Sequence, residues 1–303
     1  MTLKNVVKTG YPFVEAIAAS LPVCDEFLIS EGYSTDGTYE ICEKMAQLNK
    51  KIKVFRDEWP SIRRYSVIAD VTNLVRARCN GDYLLSIQAN EIIHEKSVAF
   101  LRALPEIYPK GVSFSLPFIH LTRNYPFYED FRLRFTKNVD NIIAVGDAWT
   151  MGLRRSFIKS MMLKDIRRPK KLLHYIARGI DWTYANNGVS PFSRSIYLPK
   201  PIYRYWSLFP RDYLEKCQKH IEMFGLEHLS KDIETLKSAV DKPEIFWKKA
   251  AELRRNELAF HYPDALGRVN TEDHPKIVKG LLSDSALTHY TIRDEVLNSI
   301  KNL

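Results

Sequence analysis

The amino-acid sequence predicts an α/β protein with a mainly parallel, mixed sheet flanked by helices and followed by a helical C-terminal extension. Apolar runs typical of strands alternate with segments whose apolar residues recur every three to four positions, as on one face of a helix. A turn rich in Gly, Ser, Thr and Asp joins one such strand to the next helix, and from Pro210 onward the pattern is mostly helical. Right-handed crossovers would then place helices on both faces of the sheet.

The strands and helices of the first hundred residues alternate in order. Strands are predicted at residues 2–4, 26–30, 52–55 and 83–87. Helices are predicted between them at residues 11–20, from 38 to about 48, and from an N-cap at Ser61 to about residue 75. Beyond Gly111, two longer extended runs at 112–121 and 131–136 flank a turn-like segment at 122–130. These longer runs predict that the sheet becomes mixed.

Two polar segments directly follow predicted strands. They are Glu31–Thr38 and Gln88–Glu91. Because the carboxyl ends of parallel strands meet at one edge of a sheet, ligands bind there, and we expect both segments to line the same crevice.

The chain is long enough to bury a substantial core, with 303 residues of which 45% are hydrophobic. We predict one sheet domain at residues 1–207 and a helical extension at residues 208–303 that packs on it. In the extension, Leu214, Cys217 and Ile221 recur at heptad-like spacing, and a further helix is predicted from Glu244 to about residue 261.

The composition excludes several classes of protein. The sequence has no basic-then-apolar leader and no run of the roughly 18 to 20 apolar residues that a membrane-spanning helix requires. The default prediction is therefore a cytoplasmic location. The four cysteines make no Cys-x-x-Cys pair, so the sequence indicates neither a disulfide framework nor a zinc site.

The net charge of +9 is unevenly distributed. Residues 154–178 hold nine Lys or Arg residues against a single acid, Asp165. This excess favours an anionic partner, such as a nucleotide diphosphate, an acidic glycan, an anionic lipid headgroup or nucleic acid, although a solvated helix face explains it equally well. Peripheral attachment to a membrane through this segment stays open.

Several strings in the sequence resemble bacterial family 2 glycosyltransferases of the GT-A fold when they are taken together. The resemblance is dense as far as Glu95, and its most specific part is Gln88-Ala89-Asn90-Glu91, which in one subgroup normally reads Gln-Ala-Asp-Glu. The strings are Tyr11–Ile17, Ser20–Pro22, Asp25-Glu26, Ser34–Thr38, Trp59, Arg63, Asn73, Gly81-Asp82 and Gln88–Glu95, with weaker matches at Arg132, Asp147-Ala148, Tyr205-Trp206 and His274-Pro275.

The resemblance implies a nucleotide-diphospho-sugar transferase fold. It also implies transfer of a sugar from a UDP, GDP or dTDP sugar to a glycan, lipid-linked or protein acceptor. Two further hypotheses stay open. One is transfer to modified bases of DNA, which the basic segment favours and which would give binding that weakens steeply with salt. The other is a non-catalytic binding protein that retains the GT-A fold.

The metal-binding motif of such enzymes is altered here. Most members hold Mg²⁺ or Mn²⁺ with an Asp-x-Asp motif, and the metal neutralises the leaving diphosphate. The corresponding triplet, Gln88-Ala89-Asn90, is neutral, and Arg204 stands where the subgroup tends to have a histidine. We therefore expect that no cofactor is required and that Mg²⁺ or Mn²⁺ binds weakly at most, through Glu91. In this hypothesis Arg204 clamps the phosphates; the alternative is that it pairs with a surface carboxylate.

The resemblance assigns further roles by position. Asp147 is the expected general base, with Glu91 in reserve, although Asp147 also suits a turn or an N-cap. The expected donor-binding residues are Glu31, Ser34, Asp36, Arg63, Asn73, Gln88, Asn90 and Arg204, and the expected acceptor-binding residues are Arg132, Trp149 and Trp206. The structural alternatives are turn capping for Glu31 and Asp36, core packing for both tryptophans, and a solvated strand face for Arg132 and its neighbour Arg134.

Overall fold

The computed structural model describes residues 1–60, 67–145, 148–153, 194–224, 229–257, 268–284 and 289–303. The strands are β1 (Thr2–Leu3), β2 (Phe27–Glu31), β3 (Ile52–Arg56), β4 (Tyr83–Leu85), β5 (Glu91–Ile92), β6 (Ser113–Thr122), β7 (Tyr125–Lys137), β8 (Ile142–Val145), β9 (Thr150–Leu153), β10 (Arg194–Ser195) and β11 (Ile202–Ser207). The helices are α1 (Phe13–Ser20), α2 (Thr38–Leu48), α3 (Val67–Ala77), α4 (Glu95–Ile107), α5 (Pro210–Phe224), α6 (Leu229–Lys237), α7 (Pro243–Glu257), α8 (Lys276–Ser283) and α9 (Asp294–Ser299). The predicted α/β class is confirmed.

The first three strands form a parallel sheet in the order β1-β2-β3. Their register aligns Leu3 with Glu31 and Glu31 with Arg56, so the three carboxyl ends lie side by side. All five residues of β2 are buried, as expected for the central strand of a sheet covered on both faces.

The larger sheet has the order β4-β7-β6-β11-β5, with β10 also paired to β6. It is mixed, because β6 is antiparallel to β7 but parallel to β11, and β11 is antiparallel to β5. Parallel pairs therefore do not predominate among the described strands. The predicted turn at residues 122–130 is wrong, since β6 and β7 are joined at Arg123 and Asn124, and Arg123 has a φ of 51°. The prediction failed because polar and aromatic residues alternate at the start of β7, and this composition is also common in turns.

Helices from the C-terminal part of the chain pack in two different places. Helices α5 to α7 bury Trp247 and Phe246 against Phe127 and Trp206 of the larger sheet. Helices α8 and α9 share one core with the parallel sheet and α1, and this core includes Phe13, Ile17, Leu21, Leu281, Leu297 and Ile300. The division into domains at residue 207 stays a prediction.

Within the described part of the chain, no helix is both long enough and apolar enough to span a membrane. The basic segment at residues 154–178 lies outside the described residues.

Candidate functional site

Three arginines surround the carboxylate of Glu91. Its Oε1 lies 2.6 Å from Arg134 Nη2, 3.9 Å from Arg132 Nη1 and 3.7 Å from Arg204 Nε. Its Oε2 accepts a hydrogen bond of 2.9 Å from the backbone N–H of Gln88. The side chains of Glu91, Arg132 and Arg134 are at most 1% exposed, and that of Arg204 is 14% exposed. We call Glu91 and these three arginines the arginine cluster.

Strand register brings these residues together from distant parts of the sequence. Arg204 of β11 lies directly opposite Glu91 on one neighbouring strand and opposite His120 on the other. Side chains two residues apart point to the same face of a strand, so Arg132 and Arg134 of β7 reach the same side of the sheet. The alternative that these two arginines line a solvated strand face is wrong, because both are buried.

A second buried carboxylate supports the cluster from β7. Asp130 accepts hydrogen bonds from Arg132 Nε at 2.8 and 3.1 Å, and its Oδ1 lies 3.1 Å from His120 Nε2. Burial by itself would raise the pKa of Asp130, but Arg132 and His120 hold it well below its usual range. Burial and the charge of Arg132 together lower the pKa of His120 to about 3, despite the opposing effect of Asp130, so this ring is neutral at physiological pH.

Trp149 lies over the arginine cluster. Its ring centroid is 3.4 Å from the guanidinium carbon of Arg132 and 4.7 Å from that of Arg204, and it stacks on His120 at 5.7 Å. The preceding Ala148, with a φ of 61°, accepts a hydrogen bond of 2.9 Å from Arg134 through its carbonyl. Cation–π contacts in a desolvated setting are worth about 2 kcal/mol, so these contacts help to hold the guanidiniums in place.

The cluster retains excess positive charge and unused hydrogen-bond donors. Three guanidiniums face two carboxylates, Glu91 and Asp130. Burial, together with the charges of Arg204 and Arg134, lowers the pKa of Arg132 to about 10 against the opposing effect of Asp130. Arg132 Nη1 and Arg204 Nε are buried and have no hydrogen-bond partner among the described residues. Buried donors without partners are costly, so this arrangement favours an anion.

The same residues do not fit a divalent cation. Gln88 Oε1 lies 3.4 Å from Arg204 Nη2, and the side chain of Asn90 is turned to β11, where its Nδ2 donates to the carbonyl of Tyr205 at 2.8 Å. Within the described chain, no group of three or more His, Cys, Asp or Glu side chains is arranged to hold a metal ion. A metal at Glu91 would face three guanidiniums, whose charges oppose its own.

The Ser-Thr-Asp-Gly-Thr turn binds the loop after β1. The hydroxyl of Ser34 accepts from the backbone N–H of Asn5 at 2.8 Å, and Asp36 accepts from that of Lys8 at 2.7 Å. Asp36 also accepts from both the backbone N–H and the hydroxyl of Thr38 at the start of α2. The observed contacts of Ser34 and Asp36 are thus structural, and their donor-binding roles stay predictions.

Glu31 is fully buried at the end of β2 and serves its own turn. It accepts from the backbone N–H groups of Tyr33 and Ser34 at 3.2 and 2.6 Å and pairs with Arg56 Nε at 3.2 Å. The Arg56 guanidinium lies between the rings of Tyr33 and Tyr39, 4.3 and 4.1 Å from their centroids. These contacts match the capping alternative for Glu31.

Two other predicted ligand-binding residues make structural contacts. The side-chain amide of Asn73 on α3 both donates to and accepts from the backbone of Ala144 on β8, at 3.0 and 2.8 Å. The ring of Trp206 is 4% exposed and packs edge-on against Tyr213 at 4.7 Å, with Arg254 over its face. Trp206 therefore has the core role given as its alternative, and an acceptor-binding role is not supported.

Two predicted site residues, Arg63 and Asp147, lie outside the described residues. Sequence reasoning missed His120 and Asp130, although both carry a detectable signal. His120 stands between the aliphatic residues Ile119 and Leu121, and Asp130 shares a two-residue spacing with Arg132 and Arg134. This spacing places the three charged residues on one face of a strand, but it does not distinguish a solvated face from a buried charge network.

Comparison of the chain with profiles of known protein families and with curated protein sequences gives no match.

Proposed function

We propose that this protein is a glycosyltransferase of the GT-A fold that transfers a sugar from a nucleotide-sugar donor to a glycan, lipid-linked or protein acceptor without requiring a divalent metal. The arginine cluster is the observation that carries the proposal. It stands beside Gln88-Ala89-Asn90, where enzymes that the sequence resembles hold their metal, and it offers positive charge in place of that metal.

The reaction explains why positive charge is needed at this point. As the bond from the anomeric carbon to the phosphate oxygen breaks, negative charge develops on the leaving diphosphate. Guanidinium groups bind phosphate oxygens in a bidentate manner and remain charged under all relevant conditions. Fixed positive groups that face developing charge in a site with little water are a large source of rate enhancement.

Arg204 is the member of the cluster that we assign to direct phosphate contact. Its side chain is the most exposed of the three arginines, and its Nε has no hydrogen-bond partner in the described chain. Arg132 and Arg134 are buried behind it and raise the local positive potential. Glu91 holds the three guanidiniums in position, and its oxygens already accept from Arg134 and the Gln88 backbone.

The test is calorimetric titration of UDP, GDP, CDP and dTDP, each with Mn²⁺ and with a chelator. We expect one nucleotide to bind saturably in the presence of the chelator. Because a hydrogen bond to a charged group contributes about 1.5–3 kcal/mol, Arg204→Ala should weaken that binding about 10- to 100-fold. The matched control is Arg211→Ala, which removes an arginine whose side chain is 70% exposed and pairs only with Glu215 among the described residues.

Three outcomes would contradict the proposal or part of it. Strict dependence on Mn²⁺ would refute metal-independent binding and make Glu91→Gln the next variant to titrate. Equal loss in the Arg204 and Arg211 variants would refute the assigned phosphate contact. Absence of binding by all four nucleotides would refute nucleotide-sugar transfer and favour the non-catalytic alternative.

A further inference from the structure

The ring of Trp149 lies against the two guanidiniums whose donors the arginine cluster leaves unused. Arg132 Nη1 and Arg204 Nε are buried and have no hydrogen-bond partner among the described residues. The centroid of the Trp149 ring is 3.4 Å from the guanidinium carbon of Arg132 and 4.7 Å from that of Arg204. An anion that accepts hydrogen bonds from these two nitrogens must therefore displace a group that shields them from solvent.

The guanidinium of Arg132 is held on its other sides by groups that are themselves buried. Asp130 accepts from its Nε at 2.8 and 3.1 Å, and its Nη2 lies 2.8 Å from His120 Nε2. The side chains of Asp130 and His120 are 6% and 1% exposed. These contacts fix the plane of the guanidinium, and within the described chain Nη1 is the one nitrogen that they leave without an acceptor.

Trp149 combines an anchored backbone with a half-buried ring. On one side, the carbonyl of Ala148 accepts from Arg134 Nη1 at 2.9 Å. On the other side, the hydroxyl of Thr150 accepts from the backbone N–H of Leu133 at 3.2 Å. The side chain of Trp149 can turn between staggered rotamers without breaking either of these bonds. Among the groups around the unused donors, this ring is therefore the one suited to move.

We propose that Trp149 is a gate over the anion site: its ring shields the guanidiniums of Arg132 and Arg204 in the empty protein, and a diphosphate displaces it to reach Arg132 Nη1 and Arg204 Nε. This inference rests on the diphosphate binding of the proposed function. The ring and the diphosphate compete for the same cations, because the face of an aromatic ring and the oxygens of a phosphate both carry negative charge.

This competition fixes the direction in which Trp149 affects anion affinity. A ligand that binds only the open state has an apparent Kd equal to its intrinsic Kd divided by the open fraction. The cation–π contacts favour the closed state, so removal of the ring increases the open fraction. Anion binding should therefore become tighter. A ring that contacts the diphosphate would have the opposite effect, and a ring that contacts only the acceptor would leave diphosphate affinity unchanged.

The test is calorimetric titration of inorganic phosphate, pyrophosphate and the four nucleoside diphosphates into the wild type, Trp149→Phe and Trp149→Ala, with a chelator present. We expect the Kd for pyrophosphate to decrease by about 3- to 30-fold in Trp149→Ala, and by less in Trp149→Phe, because a phenyl ring keeps a weaker cation–π contact. The matched control is Trp247→Phe, the same substitution at a ring that is 2% exposed in the core formed with α5 and α6. It should leave the Kd unchanged.

A second measurement follows the ring itself. The chain has five tryptophans, and the difference between the emission of the wild type and that of Trp149→Phe gives the signal of Trp149. Saturating pyrophosphate should make this signal more accessible to quenching by acrylamide, because the displaced ring is exposed to water. Acrylamide is neutral and does not compete for the anion site. This measurement still decides the question if Trp149→Ala does not fold.

The outcomes separate the gate from the proposed function. Unchanged or weaker anion binding in both Trp149 variants, or quenching that does not respond to saturating pyrophosphate, would overturn the gate even where a nucleotide binds the wild type. Tighter pyrophosphate binding in Trp149→Ala, with no saturable binding of any nucleotide, would support the gate and overturn nucleotide-sugar transfer. Absence of anion binding by all of these proteins would overturn both.

Discussion

Replacement of Glu91 by Gln keeps the shape of the side chain but removes the only charge that all three arginines of the cluster share. At an effective dielectric constant of about 20, its attraction to Arg134, Arg132 and Arg204 is about 4–6 kcal/mol for each pair at the observed 2.6, 3.9 and 3.7 Å. Desolvation offsets most of this energy. The net loss on breaking a buried ion pair is about 3–5 kcal/mol, since the remaining charges are left uncompensated.

The assay for Glu91→Gln is thermal unfolding with and without added inorganic phosphate. A loss of about 3–5 kcal/mol corresponds to a decrease in Tm of about 5–8 °C for a chain of this size. Phosphate should restore more of the Tm in the variant than it adds to the wild type, because it supplies the missing negative charge. The control is Glu95→Gln, whose side chain is 39% exposed, and we expect it to lower Tm by less than about 2 °C. A Tm for Glu91→Gln equal to that of the wild type would refute the argument that this carboxylate holds the cluster together.

Three further predictions concern the same structure. Asn90→Asp should destabilise the protein by about 3 kcal/mol, because a buried carboxylate cannot donate to the carbonyl of Tyr205 that the amide contacts at 2.8 Å. We expect the variant to gain no Mn²⁺ binding in calorimetry. Tight Mn²⁺ binding by a stable variant would contradict this prediction. Replacement by alanine costs about 1–2 kcal/mol in backbone strain at both Gly10 and Gly37, but only at Gly10 does the new Cβ collide with a carboxylate, that of Asp212. Gly10→Ala should therefore lower the free energy of unfolding in urea more than Gly37→Ala does. Equal losses in the two variants would refute this prediction. Burial lowers the pKa values of His120 and His274 to about 3 and about 4, so both rings contribute fully to stability above the unfolded pKa of about 6.5. The free energy of unfolding should decrease by about 1.4 kcal/mol per pH unit for each ring as the pH falls from 6.5 toward 4. A free energy of unfolding that does not change over this pH range would contradict burial of the neutral rings.

The sequence allows the α/β class and the position of the polar turns to be predicted because these depend on local patterns. Strand β2 is a continuous apolar run followed by a turn with Gly, Ser and Asp, and the structure ends β2 at Glu31 as that pattern indicates. The assignment of Arg204 and the Gln88–Glu91 segment to one diphosphate-binding site came from the resemblance and not from periodicity. In the structure these residues are on neighbouring strands.

The composition of the arginine cluster could not be predicted in the same way. It depends on the register between β5, β11, β6 and β7, and a register shift of one residue would turn every side chain to the other face. A strand with alternating charges also has the same pattern whether it faces water or a buried partner. For this reason Arg132 and Arg134 could be interpreted as a solvated face, although both lie in the interior and depend on Glu91 and Asp130.

The core around α1 has a consequence for the synthesis of the protein. Phe13 and Ile17 of this early helix are covered by Leu281 of α8 and Leu297 of α9, and the side chain of Asn49 donates to the carbonyl of Ile300 at 2.9 Å. During translation, the apolar face of α1 therefore stays uncovered until about 280 further residues have been synthesised. This takes roughly 15–60 seconds at ordinary elongation rates. We expect chaperones on the ribosome to bind a nascent chain that exposes such an apolar face.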